Sequence, residues 1–225
     1  MKKKLILICI IGVLAIIAIY YVTINNKVKL LALGDGLASG MTAYNVNGYS
    51  YNDYLKDYYK EKNHLQSYNN SFSQENLTTL NFLNLLKTNI SNNINNKEVT
   101  IQQAISSSNV IILAIGLDEL ATNSFDKKLT TKELNQYYSN MEEILRFIRK
   151  INHEKIIVIG VYKAYNLSNI EEINYKLKKI SDSFECEFLD ISKVVNNEEY
   201  YFNDTSYYLN YKGHKKISEE LIKLV

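Results

Sequence analysis

Leu31-Ala32-Leu33-Gly34-Asp35-Gly36-Leu37-Ala38-Ser39-Gly40 decides the reading of this chain. It closes an apolar run over residues 28–33 and then breaks into three glycines within seven residues. A short run that is apolar at nearly every position fits a strand covered on both faces, the habit of a parallel sheet. Three more such runs follow at 110–115, 156–161 and 186–191, with a weaker candidate at 64–72. Helical spacing separates them. Leu134, Tyr137, Met141, Ile144, Leu145 and Ile148 recur every three to four residues, behind a capping box of Thr130 and Glu133. Ile170, Ile173, Leu177 and Ile180 repeat the pattern, with Ser168 and Glu171 as the expected box. Residues 51–61, 77–86 and a final stretch around Ile217, Leu221, Ile222 and Val225 complete the helices, and 91–97 reads as an Asn-rich loop. Strands alternating with helices predict a three-layer, flavodoxin-like α/β domain with about five parallel strands. In such folds sites lie beyond the C-terminal ends of the strands. The segments to read are therefore 34–41, 71–79, 116–120, 161–165 and 200–212.

Composition narrows the class. The chain has 225 residues, 46% of them hydrophobic, which excludes disorder. Two cysteines and three histidines exclude a disulfide scaffold and a zinc site, so no metal and no cofactor is expected. The net charge is +2, but Lys2, Lys3, Lys4 and Lys27 flank one apolar run. Setting those four aside leaves 22 basic against 24 acidic residues over 28–225, so no nucleic-acid partner is expected. The run itself, from Leu5 to Ile24, is 20 residues without a charge, about 30 Å as a helix and enough to cross a bilayer. It lacks a small-residue cleavage site, and three lysines precede it. The expectation is an uncleaved signal anchor over 1–27, with the N-terminus cytoplasmic and an extracytoplasmic domain over 28–225. Cys9 then lies in lipid and Cys186 in the domain, so the two do not pair.

Gly34-Asp35-Gly36-Leu37 at the end of the first strand resembles the opening G-D-S-L block of the SGNH/GDSL hydrolases. Gly116-Leu117-Asp118-Glu119-Leu120, after the run 110–115, resembles their G-x-N-D-L block. Tyr208-Leu209-Asn210-Tyr211-Lys212-Gly213-His214 resembles their H-P-N-x-x-G-Y block. The blocks occur in order across 28–225. The resemblance implies an ester hydrolase fold of the lipase/acylhydrolase type, in which Gly34 and Asp35 shape the first turn.

The departures concern the chemistry that the resemblance implies. The nucleophilic serine position is Gly36, which has no side chain. The asparagine that donates to the oxyanion is Asp118, whose ionised carboxylate has no donor. The block with the oxyanion-hole glycine falls near residues 72–75, with Gln74 as the nearest match. Counting back from Asn210 puts the base histidine at Tyr208 and its acidic partner at Thr205, with Asp204 one residue away. Tyrosine, with a free pKa of about 10, is a poor base at neutral pH. No catalytic set is intact, and the expectation is a pseudoenzyme.

Other residues at the cleft also bear on its chemistry. Ser39 is a shifted nucleophile or a loop serine bonded to local backbone. His64, His153 and His214 stand at no spacing that completes a triad, and His214 falls on a non-catalytic tyrosine position of the resemblance. Asp118 and Glu119, with Asp35 nearby, either bind a cation or act as acids and bases, or Asp35 and Glu119 only hold loops by accepting backbone N–H bonds, the favoured alternative. Tyr44 and Tyr162, with Tyr208, are candidates to line the cleft and stack on sugar or peptide. The function expected is a membrane-anchored binding or scaffolding protein at a bacterial cell surface, and the resemblance implies an acylated or acetylated glycan as the ligand class. The alternatives are an active acyl hydrolase with a rearranged site and a protein-interaction module.

Overall fold

The apolar runs pair side by side in the computed structural model, which describes residues 12–13, 27–94, 96–203 and 206–225. The order along the chain is β1 (Val28–Gly34), α1 (Gly36–Ser39), α2 (Tyr51–Glu61), β2 (Leu65–Ser73), α3 (Thr79–Thr88), β3 (Ser91–Ile94), β4 (Lys97–Thr100), α4 (Ile101–Ser107), β5 (Val110–Ala114), α5 (Leu117–Asn123), α6 (Thr131–Ile151), β6 (Lys155–Ile159), α7 (Ile170–Ser183), β7 (Glu187–Leu189) and α8 (Tyr211–Leu221). Single 3-10 turns at 191–193 and 198–200 link β7 to α8. Five strands form one parallel sheet in the order β2-β1-β5-β6-β7.

Right-handed crossovers place helices on opposite faces when the chain steps left from β1 to β2 and then right through β5, β6 and β7. The contacts agree: α2 packs on α8, while α3, α4 and α7 pack on α6. One contiguous core runs from Leu30 to Leu221. In β5 every residue is buried, which explains its unbroken apolar run. In β2 only Phe72 is buried, because β2 is an edge strand, and its sequence signal is correspondingly weak.

Capping sets the helix starts. Ser50, Thr100 and Thr130 each form a reciprocal box with the residue three positions on. Two expectations are corrected. Ser168 and Glu171 do not cap α7: Asn169 takes the N-cap position in a left-handed conformation (φ 60°), which leaves Ser168 one residue outside the helix. The Asn-rich stretch at 91–97 is not a loop but most of a hairpin, β3 pairing with β4 through Ser91↔Thr100 and Asn92↔Val99. The uncharged run from Leu5 to Ile24 lies outside the described residues except for Gly12 and Val13. Among the described residues no helix is long and apolar enough to cross a membrane.

Candidate functional site

Three turns at the C-terminal edge of the sheet meet over the end of β1. The first is forced by close approach. A Cβ on Gly34 would lie 1.7 Å from the Ala114 carbonyl oxygen, and the φ of Gly34 is +146°, so only glycine fits. The chain then turns at Asp35, whose N–H donates to Ala114 O at 2.9 Å.

Asp35 is fully buried and ties two of these turns together. Its Oδ1 accepts the Leu37 N–H at 3.2 Å, capping α1. Its Oδ2 accepts the N–H groups of Gly116 at 2.8 Å and Asp118 at 3.3 Å. Burial, followed by the charge of Asp118, raises its pKa well above the ordinary carboxylate value, against the pull of those three N–H groups. Glu119 does comparable work one turn away. Its Oε2 accepts from the N–H and Oγ1 of Thr79, at 2.7 and 2.8 Å, and so holds the start of α3.

Asp118 occupies the centre. Its Oδ2 accepts the Gly36 N–H at 2.9 Å and the Asn76 N–H at 2.9 Å. Its Oδ1 accepts the Tyr207 hydroxyl at 3.2 Å. The carboxylate is almost completely buried and sits where a side chain on residue 36 would go: a Cβ there would lie 2.7 Å from Asp118 Oδ2. Two backbone N–H groups and one hydroxyl converging on one anion is the donor geometry of an oxyanion site. Here the protein supplies the anion itself. Tyr207 is held as a donor, because burial and then the charge of Asp118 push its pKa far up.

The other candidates take different places. Tyr208 stacks on Tyr207 with ring centroids 4.4 Å apart, and its hydroxyl donates to Glu75 Oε1 at 3.3 Å. The Gln74 N–H donates to Gly34 O at 3.0 Å, so the donor to the carboxylate from this loop is Asn76. The buried Ser39 Oγ donates back to Gly36 O at 3.1 Å. Tyr162 does not line the cleft: it is buried and donates to Tyr207 O at 2.8 Å, bracing the backbone of that residue. Tyr44 is exposed and packs edge-on against Phe202. Thr205 and Asp204 lie outside the described residues. Among the described residues no group of three or more His, Cys, Asp or Glu is placed to hold a metal.

Two residues of this centre escaped the sequence reading, and both left a signal. Asn76 sits at φ +58°, a conformation that glycine takes freely and asparagine tolerates better than most residues. Tyr207 stands three residues after Asp204, which is the D-x-x-H spacing, with one extra residue before Asn210.

His214 lies away from Asp118, in the wall of the core. Its Nδ1 accepts the Tyr51 N–H at 3.3 Å, and burial lowers its pKa to about 4. The unfolded chain binds this proton near pH 6.5, whereas the folded chain resists until about pH 4. Stability is therefore whole above about pH 6.5 and is lost as pH falls toward 4. Urea unfolding at pH 7 and pH 5 should show a loss about 2 kcal/mol larger in the wild type than in His214→Gln. Equal losses would contradict the assignment.

No family model matches the chain, and no curated protein matches its sequence. Its structure is similar to that of a lipase from a goat rumen metagenome, with 17% identity, 88% of this chain and 97% of that chain covered, and a TM-score of 0.69. It is also similar to a lipase/acylhydrolase from Enterococcus faecalis, at 16% identity over 88% of this chain and 95% of that one, with a TM-score of 0.62. A catalytic mutant of an acetylxylan esterase from Geobacillus stearothermophilus matches at 12% identity over 87% and 93%, with a TM-score of 0.63. At these identities the likeness establishes the fold.

Proposed function

We propose that this chain, whose fold is that of the SGNH/GDSL hydrolases, is a pseudoenzyme that binds or scaffolds at the outer face of a cell membrane. The observation that carries the reading is the carboxylate of Asp118, which accepts the Gly36 and Asn76 N–H groups. An acyl ester would have to place its developing oxyanion there, and the site already holds a negative charge. The position beside it, Gly36, offers no atom to attack. Ser39 is turned to backbone and His214 to the start of α2, so neither supports a relocated triad. The run 5–24 is the proposed anchor, and an acylated or acetylated glycan is the proposed ligand class. One of the similar structures is an acetylxylan esterase, which fits that class.

The test is hydrolysis of p-nitrophenyl acetate by the full chain in detergent. The wild type is expected to match buffer, while the combination Gly36→Ser, Asp118→Asn and Tyr207→His exceeds it. Wild-type turnover above background that disappears with Ser39→Ala or His214→Ala would establish a rearranged active site instead. The same preparation tests the anchor: the chain should stay in carbonate-washed membranes and leave them when residues 5–24 are deleted.

A further inference from the structure

Beyond the ends of β6 and β7 lies a pocket of about 550 Å³. It opens between the segment leading into α7 and the segment running from the first 3-10 turn toward α8. Tyr207 belongs to its wall and also touches Asp118, so the pocket adjoins the filled oxyanion site. We propose that this pocket binds a saccharide, with a sugar ring laid against Phe125 and Tyr165. The proposal rests on the reading that the chain binds a glycan rather than cleaves it, and it adds where the sugar ring sits and which side chains hold it.

Three observations carry it. Phe125 is 61% exposed and Tyr165 44% exposed, yet neither is loose: their rings meet edge to face at 4.9 Å, and Tyr165 meets Tyr207 at 5.0 Å. Asn166 Nδ2 donates to Phe125 O at 2.8 Å and fastens the two loops to each other. The result is a fixed aromatic face turned to water, which costs solvation unless something covers it. Second, Tyr165 has φ +42°, a left-handed conformation that a bulky side chain rarely takes. Strain of this kind is kept where a side chain must be held in place, and here it holds the ring at the pocket mouth. Third, beside Ile170 and Val195 the wall carries charges of both signs, Lys163 with Glu171 and Glu198, and the amides of Asn166 and Asn196.

That combination selects among ligands. An acyl chain would strand those charged groups without partners. A phosphate or nucleotide would meet two carboxylates for one ammonium. A sugar ring satisfies both halves: its C–H face lies on the aromatic rings, and its hydroxyls bond to carboxylates and amides.

The test uses the full chain in a detergent without a sugar headgroup, titrated with cellotetraose and with chitotetraose. Neither probe carries an ester, so binding is read independently of acyl hydrolysis, and the pocket and the pseudoenzyme reading can fail separately. At least one probe is expected to bind in the millimolar range or tighter. Tyr165→Gly and Phe125→Ala should each weaken it at least about tenfold. Tyr165→Gly is the informative variant, because glycine suits the left-handed backbone and should keep or raise the melting temperature while removing the ring. Absence of binding by the wild type at about 10 mM of either probe, or wild-type binding by Tyr165→Gly, would overturn the proposal.

Discussion

Asp118→Ala is expected to lower stability by about 3 kcal/mol, seen as a fall in melting temperature of roughly 6–12 °C for a domain of this size. The substitution leaves three donors facing an empty space: the Gly36 and Asn76 N–H groups and the Tyr207 hydroxyl. A buried donor without a partner costs about 1–3 kcal/mol. Two effects reduce the sum. Water can enter the vacated space, and Asp35 loses the neighbouring charge that raises its pKa. Asp118→Asn is the control. Its amide oxygen can accept both N–H groups, its amide nitrogen can donate to a rotated Tyr207 hydroxyl, and the repulsion on Asp35 is gone. Its stability should lie within about 1 kcal/mol of the wild type. If Asp118→Ala and Asp118→Asn melt together near the wild type, the three bonds contribute little and the carboxylate is a bystander.

Gly34→Ala is expected to abolish cooperative folding, a cost above about 4 kcal/mol. The added Cβ would lie 1.7 Å from Ala114 O, with both atoms tied to backbone. Neither can yield without breaking the Gly34↔Ala114 register and the Asp35 N–H bond to Ala114 O. The positive φ adds strain of its own. Gly36→Ala is the contrast: its Cβ would meet the end of the Asp118 side chain at 2.7 Å, at a backbone conformation that alanine accepts. That variant should fold, with Asp118 displaced from its N–H partners. A soluble Gly34→Ala chain with a sharp melting transition would contradict the packing described for β1 and β5.

The strands β1, β5 and β6 were legible because burial on both faces demands apolar residues at nearly every position. The hairpin of β3 and β4 was not, because half of its residues are exposed and Asn92 and Asn93 carry no strand signal. The same division runs through the site. Gly34, Asp35, Gly36 and Asp118 follow directly on buried strands, so their positions could be counted from the strand ends. Asn76 and Tyr207 sit in turns, where position depends on conformation and on single-residue insertions. Two consecutive tyrosines look alike in sequence, but stacking at 4.4 Å sends one hydroxyl to Asp118 and the other to Glu75. That Asp118 fills the space beside Gly36 is a property of three turns meeting, and no single motif records it.

Two backbone N–H groups and a hydroxyl converge on one anion site, and the protein's own carboxylate fills it. Formate is the group that Asp118→Ala removes, and it tests this occupancy directly. Melting of the full chain is followed in formate and in chloride at equal ionic strength. Asp118→Ala should gain about 1 kcal/mol, a few degrees, at a formate concentration about five times its dissociation constant. The wild type should gain nothing, since its site is full. Equal gains in both proteins, or no gain in either, would contradict this occupancy.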